Sequence, residues 1–419
     1  MKLLILGGGK AQVNTIKKAK NKGHTVIVSD YYKDAPGKEF SDYSELTSTF
    51  DIQGNIEVAR KYNIDGVLTT GTDQPVYTVA CVAAELGLPS LVNIETAKAV
   101  TNKREMKRLY TEKNIPTVKY KIIDENFSDS ELQDINFPVV IKPLDSQGQR
   151  GVFKLNSLTE IREHLPEVLS FSREEEILLE EYYKSNEITI SGWVNRGQLH
   201  LLTVTDRITY ENSPHIGICS AHYFPSRFLS AYYKKIEALS RKIIKGFNIK
   251  NGPIYFQMLV GNEGIKVNEI ACRVGGAYED IFIPRLTGVD LAGMVIDSSL
   301  GQTTDINSLL NYNLAYNNKW FSVQLFYASP GKIKKISKLN KIKNMPAVLD
   351  ADFNFIEGQE VGKIENATER AGYFLVEGKN KATLKENIKD VYDNLKIYNK
   401  AGENLILREI GEVLNLRKV

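Results

Sequence analysis

Residues 252–276, GPIYFQMLVGNEGIKVNEIACRVGG, hold two apolar runs, Ile254–Val260 and Ile265–Ala271, parted by Asn262-Glu263-Gly264. A three-residue hairpin loop asks for positive φ at its last position, which Gly264 supplies without steric cost. That loop sets Gly261 opposite Ile265, and counting back along both strands sets Gln257 opposite Glu269. Cross-strand partners lie about 5 Å apart on one face of a sheet. A carboxylate and an amide oxygen side by side in apolar strands suit a hard cation such as Mg²⁺. Arg273 and Gly275-Gly276 follow where the strand must end and backbone can approach a ligand. Taken alone, the same residues also describe a polar pair on the wet face of an ordinary hairpin.

The 419 residues are too many for one hydrophobic core, so two to four packed units are expected. With 54 basic and 51 acidic residues the net charge is +3, no footprint for nucleic acid or an anionic membrane. Cys81, Cys219 and Cys272 are odd in number and far apart, which implies no disulfide framework and a reducing compartment. The opening MKLLILGGGK has an apolar run too short for a signal peptide, and no apolar stretch is long enough to span a membrane. A cytoplasmic protein is expected.

Residues 1–95 alternate strand and helix, the pattern of a parallel, doubly wound sheet. Strands are expected at Lys2–Leu6, Thr25–Ser29 and Gly66–Leu68. Helices are expected at Ala11–Asn21, Ile56–Tyr62 and Gln74–Leu86, the last followed by Ser90–Val92. Gly7-Gly8-Gly9 with Asp30 hints at a dinucleotide site, but Gln12 stands where the third glycine belongs. The loop suits a small anion at the helix N-terminus, or a tight turn with no ligand.

Thr101-Asn102 caps a helix over Lys103–Lys113, and an edge strand follows at Thr117–Ile123. The strand Phe137–Lys142 ends on a cation and runs into Asp145-Ser146-Gln147-Gly148-Gln149-Arg150-Gly151 before a strand resumes at Val152. Such a loop folds over polyphosphate through backbone N–H groups, or is a plain hairpin with a solvated lysine. Glu176–Glu180 is extended, and Ile188–Val194 pairs with Leu199–Val204 across Asn195–Gly197. Asp206–His222 is expected to be a long polar loop; His215, Cys219 and His222 are spaced like metal ligands but lack a fourth. Phe228–Gly246 is an amphipathic helix, and Ile281–Gly301 is mainly helical. From Trp320 the chain turns to short strands and a last helix over Lys381–Ile397, a small α+β unit.

Lys103, Lys142 with its Gly-bearing loop, Glu180-Glu181-Tyr182-Tyr183, Glu187, and then Gln257, Glu269 and Arg273 come in an order that resembles the ATP-grasp superfamily, in its carboxylate–amine ligase branch. The resemblance spans nearly the whole chain. It implies a multidomain α/β and α+β fold: a Rossmann-like pre-ATP-grasp domain over 1–95, an ATP-grasp domain of two α+β subdomains over 96–319 with its lid at about 117–185, and a C-terminal α+β domain over 320–419.

It also implies roles. Lys103 and Lys142 contact the ATP phosphates, and Ser146, Gln147, Gly148, Gln149, Arg150 and Gly151 close over them. Glu180, Glu181, Tyr182 and Tyr183 line the adenine slot, and Glu187 meets the ribose. Gln257 and Glu269 carry Mg²⁺ or Mn²⁺. Arg273, with Lys142 the expected catalytic pair, holds the γ-phosphate and then an acyl phosphate. Asp206, Arg207, His222, Arg273, Gly275 and Gly276 are the expected substrate contacts. Many relatives carry Asn two residues after the metal Glu, where this chain has Ala271. The implied activity is ADP-forming ligation of a small-molecule carboxylate to an amine, with an amino acid or small metabolite as substrate. Ligation of phosphoribosylamine to glycine, bicarbonate phosphorylation and a non-catalytic ATP-binding regulatory protein are the alternatives. Relatives are often dimers, so a homodimer is the partner to test for.

Overall fold

The computed structural model describes residues 1–408; the last stretch of the expected terminal unit, 409–419, lies outside them. The first strands are β1 (Lys2–Leu6), β2 (Thr25–Ser29), β3 (Tyr43–Glu45) and β4 (Gly66–Leu68). They form a parallel sheet in the order β3-β2-β1-β4. Leu3 and Ile5 bury into one apolar cluster while Leu4 and Leu6 bury into another, so both faces of β1 are covered, as parallel sheets require. The cover includes α1 (Lys10–Asn21), α2 (Ile52–Tyr62) and α3 (Pro75–Leu86). Ser90–Val92 pairs with no strand; the chain instead enters α4 (Ile94–Thr101), which sequence periodicity alone did not reveal. Then comes α5 (Lys103–Glu112), where the Asn102 side chain accepts from the N–H groups of Arg104 (3.0 Å) and Glu105 (3.3 Å).

The next strands are β5 (Tyr120–Asp124), β6 (Val139–Pro143), β7 (Phe153–Leu155) and, after α6 (Leu158–Ser170), β8 (Glu176–Glu181). After them come β9 (Ser185–Asn195), β10 (Gln198–Asn212), β11 (His215–Phe224), α7 (Leu229–Gly246), β12 (Gly252–Gly261) and β13 (Gly264–Ala271). They share one sheet in the order β13-β12-β9-β10-β11-β7-β6-β8-β5. Helix α8 (Glu279–Thr287) and a second helix, Leu291–Ser299, follow. Strand β14 (Trp320–Phe326) pairs with β11, and Gly372–Gly378 pairs with β14, so the strands of the C-terminal region extend the same sheet.

Two local expectations are corrected. Gly261 pairs with Gly264, so the turn has two residues, Asn262 and Glu263, and the register starts one step away from the expected one. A bulge at Asn268 makes up the step: Met258 faces Val267 and Gln257 faces Glu269 after all. Second, Asp206–His222 is no loop. It is the end of β10 and most of β11, an antiparallel pair in which Asp206 faces Tyr223 and Arg207 faces His222. Its polar residues read as loop because strand alternation is visible only when one face is apolar. Here Asp206, Arg207 and His222 are buried, and their partners Ser226, Glu187 and Thr189 lie outside the segment.

The first sheet meets the exit of β13 at a close backbone contact, where the Gly71 N–H donates to the Val274 carbonyl at 3.0 Å. A Cβ on Gly276 would lie 2.5 Å from the Gly71 carbonyl oxygen. Gly276→Ala is therefore expected to cost roughly 1–3 kcal/mol of stability. It should also displace the Gly71–Asp73 loop. An unchanged thermal midpoint would show that the two segments do not pack this tightly.

Candidate active site

A cavity of about 1310 Å³ runs between the first sheet, the large sheet and the C-terminal region. Most of the expected site residues line it: Lys103, Lys142, Ser146–Arg150, Glu180–Tyr183, Glu187, Arg207, His222, Gln257, Glu269, Arg273 and Gly276. Asp206, Gly151 and Gly275 do not. Adjacent strand residues point to opposite faces, so Arg207 enters the cavity and Asp206 turns away, where it accepts from the Ser226 hydroxyl (2.6 Å) and lies 3.5 Å from Arg227 Nε. Gly151 serves the turn: its φ is +68°, and an added Cβ would meet Phe171 at 2.9 Å. Gly275 backs onto Glu279, whose carboxylate oxygens a Cβ would meet at 2.3 and 2.6 Å.

The cavity floor carries a buried charge cluster. Glu180, only 3% exposed, lies between the ammonium groups of Lys107 and Lys142 and ion-pairs with both. Burial alone raises its carboxyl, but the two lysines outweigh it and hold it at about 2. Lys107 is the residue sequence reading missed. It sits on the inner face of α5, where an amphipathic pattern predicts an apolar side chain. Lys142 also donates to Asn268 Oδ1 at 3.2 Å, and Lys103 donates to the Ser146 carbonyl at 2.7 Å with its Nζ 3.8 Å from Glu269. The bulge puts two consecutive residues, Asn268 and Glu269, on the cavity wall, so an amide oxygen lies beside the carboxylate that Ala271 leaves without its usual neighbour.

The loop over this floor is tied on two sides. Gln147 Oε1 accepts from the N–H groups of Asp73 (2.6 Å) and Gln74 (3.3 Å), and the Gly148 carbonyl accepts from Ala367 N–H (3.0 Å). Gly148 and Gln149 take positive φ, which turns the backbone here. At the hinge, Glu181 accepts from Asn136 N–H (2.9 Å), and the Lys154 ammonium lies 3.7 Å from the centre of the Tyr182 ring. The Tyr183 hydroxyl joins the β12–β13 turn by donating to the Gly264 carbonyl (3.0 Å) and accepting from Glu263 N–H (2.9 Å).

At the other end, Glu187 pairs with Arg207 at 2.5 Å across β9 and β10. His222 Nδ1 lies 3.0 Å from the Thr205 hydroxyl and 3.2 Å from that of Thr189, with Nε2 3.3 Å from Cys219 Sγ. Burial, with the charges of Arg207 and Arg370 behind it, brings His222 down to about 3, so it is neutral. His215 packs against Phe153 instead (ring centres 5.0 Å), so His215, Cys219 and His222 do not converge on one point. Arg273 is 6% exposed and gives Nε (2.7 Å) and Nη2 (2.6 Å) to Asp73 Oδ1. Glu279, 1% exposed near Arg273, is pushed up to about 7 by burial. Lys10, the first residue of α1 after the glycine-rich loop, pairs with Asp352 at 2.7 Å, and the Gly8 N–H donates to Asp30 (2.8 Å).

Gln257 is 8% exposed, and its Oε1 meets no donor among the described residues. An orphaned acceptor beside the carboxylate of Glu269 fits an oxygen-liganded cation.

Residues 135–279 match the family model of the ATP-grasp domain. Residues 324–400 match the model described as L-amino acid ligase C-terminal domain 2, which sets the chain beside the carboxylate–amine ligases. Among curated proteins it is similar to a formate-dependent phosphoribosylglycinamide formyltransferase of Sulfurisphaera tokodaii, 26% identical over 195 residues. That match takes in 45% of this chain and 49% of the relative, so the chain spans about half the length of the curated relative it matches. The fold is similar to that of an L-amino acid ligase from Bacillus licheniformis (TM-score 0.81, 16% identity, 95% of this chain and 98% of that one). It is similar also to phosphoribosylglycinamide synthetase from Anaerococcus prevotii (0.74, 19%, 95% and 99%). A third likeness is the biotin carboxylase domain of 2-oxoglutarate carboxylase from Hydrogenobacter thermophilus, solved with MgADP, ADP and bicarbonate (0.74, 14%, 94% and 90%). At these identities the likeness is one of fold. No described helix is long and apolar enough to cross a membrane.

Proposed function

We propose that this chain is an ATP-dependent, ADP-forming ligase that joins the carboxylate of an amino acid or similar small metabolite to an amine through an acyl phosphate. The observation that carries the reading is the composition of one cavity: the cations Lys103, Lys142 and Arg273, the acceptor pair Gln257 and Glu269, and the loop Ser146–Arg150 all line it, with Lys103 Nζ 3.8 Å from Glu269. Phosphoryl transfer asks mainly for positioning and for positive charge around the transferred group. Gln257 and Glu269, with Asn268 beside them, would hold Mg²⁺, which when bound supplies charge neutralisation on the phosphates. Lys103 and Lys142 orient the phosphates. The Ser146–Arg150 segment excludes water from an acyl phosphate that would otherwise hydrolyse. Arg273 holds the transferred phosphoryl group as the amine displaces it. The match of residues 324–400 to an L-amino acid ligase domain favours an amino acid as the acid component.

The test is ADP and phosphate release with Mg²⁺-ATP over a matrix of amino acids, other carboxylates and amines, with glycine plus phosphoribosylamine included. Wild type and Glu269→Gln are compared. Release that needs one acid–amine pair, and falls about 10²-fold or more in the variant, is the expected result. Release with glycine and phosphoribosylamine alone would replace the amino-acid ligase reading by a purine-type one. ATP binding that is equally tight in both proteins, with no turnover on any pair, would favour a regulatory ATP-binding protein.

A further inference from the structure

On the far face of the large sheet lies a second cavity of about 810 Å³, within the range of roughly 300–1,000 Å³ typical of small-molecule sites. Asp206 and Arg207, consecutive on β10, face different cavities: Arg227 lines both, while Arg207 faces the first and Asp206 the second. Its walls are apolar, made by Leu229, Tyr233, Leu314, Trp320 and Leu384, with the hydroxyl-bearing Tyr223 beside them. The charge of Asp206 is met within the protein by Ser226 and Arg227. Lys234, Lys235, Lys381 and Lys385 also line the cavity, and none of them forms an ion pair with a described residue. Helix α7 starts there without a side-chain cap, and its first-turn residues Ser230 and Ala231 face the space, adding the positive end of a helix dipole.

An apolar chamber bordered by unpaired cations is complementary to one kind of occupant. A neutral apolar molecule would leave the lysines unused, and a strongly hydrated polyanion would leave the aromatic walls unused. We propose that this cavity binds a small organic monoanion with an apolar body, an alkyl or aryl carboxylate, at a site separate from the ATP-grasp cavity.

The probe is 1-anilinonaphthalene-8-sulfonate, itself an anion with an apolar body, titrated into the full chain with saturating Mg²⁺-ATP present. Saturable fluorescence is expected, weakened about tenfold by the double variant Lys381→Glu/Lys385→Glu. Ala231→Trp, which keeps the charges but fills the mouth, should weaken it as well. Displacement by decanoate identifies an alkyl occupant and displacement by 4-phenylbutyrate an aryl one; displacement by neither overturns the proposal. So does binding unchanged in both variants, or probe fluorescence that disappears when Mg²⁺-ATP is added. Thermal midpoints equal to wild type establish that the variants fold.

Discussion

Glu180→Gln is expected to destabilise the protein by about 3–5 kcal/mol, since removing one partner of a buried ion pair leaves uncompensated charge inside. Here the removed carboxylate serves two ammonium groups, Lys107 and Lys142, and no other carboxylate of the described residues pairs with either of them. Lys107 is 1% exposed, and burial already lowers its pKa, so loss of Glu180 pushes it toward the neutral amine. The measurement is urea unfolding at neutral pH, read as a shift of the midpoint at constant slope. An unshifted midpoint would mean that water reaches this cluster and that the floor of the cavity is not closed.

The same pair sets an acid dependence with a definite sign. The Glu180 carboxyl is held at about 2 in the folded chain against an ordinary 4.5, so the unfolded chain binds the proton more readily. Its contribution is full above pH 4.5 and is lost as pH falls toward 2. His222, at about 3 against 6.5, acts in the same direction over a higher window: unfolding takes up a proton that the buried imidazole refuses. Glu279, raised by burial to about 7, and Asp280, raised to about 6, act the other way, since the folded chain takes up their protons first, so they offset the His222 term between about pH 4.5 and 7. The net loss of stability should therefore appear below about pH 4.5, at roughly 1 kcal/mol or more per pH unit. In Glu180→Gln the part of the acid decline below pH 4.5 that comes from this carboxyl disappears. A variant with the same acid slope as wild type would place its origin in another group.

Arg273→Ala should lower turnover by ~10²–10³-fold, the usual cost of removing one preorganised donor to a developing charge. The guanidinium is fixed before any substrate arrives: Asp73 takes two of its N–H groups, Val274 a third at 3.1 Å, and the Tyr255 ring lies 4.6 Å from its centre. Arg273→Lys should recover little, because an ammonium cannot meet Asp73 and a phosphoryl oxygen with the same fork geometry. Asp73→Asn leaves the arginine present but less firmly aimed, so its turnover should lie between those of wild type and Arg273→Ala. ADP release at saturating ATP and substrate decides. Full turnover in Arg273→Ala would take the residue out of the chemistry, and equal losses in Asp73→Asn and Arg273→Ala would make aiming the whole of its role.

Much of this site was legible in the residues alone because the signals are local. Strand alternation, the Asn102 cap, the glycines that turn the loop after Lys142 and the pairing of Gln257 with Glu269 each depend on neighbours a few positions away. The last was reached by a wrong route, since a shorter turn and a bulge at Asn268 cancel in the count. Even the misread Asp206–His222 segment obeys a local rule: its alternation holds, but with polar side chains on both faces it left no apolar signature.

By itself the sequence determined which strands and helices form and in what order the lysines, carboxylates and glycines follow one another. Only the tertiary structure decided which charges are partners. Arg273 is held by Asp73, 200 positions away, and Glu180 by Lys107, 73 positions away, on an unrelated helix. It also decided that Asp206 and Arg207, adjacent in the chain, open onto different cavities. Backbone conformation is chosen within a few residues. A buried charge must find whatever opposite charge the completed fold brings within reach, and no spacing in the chain records that distance.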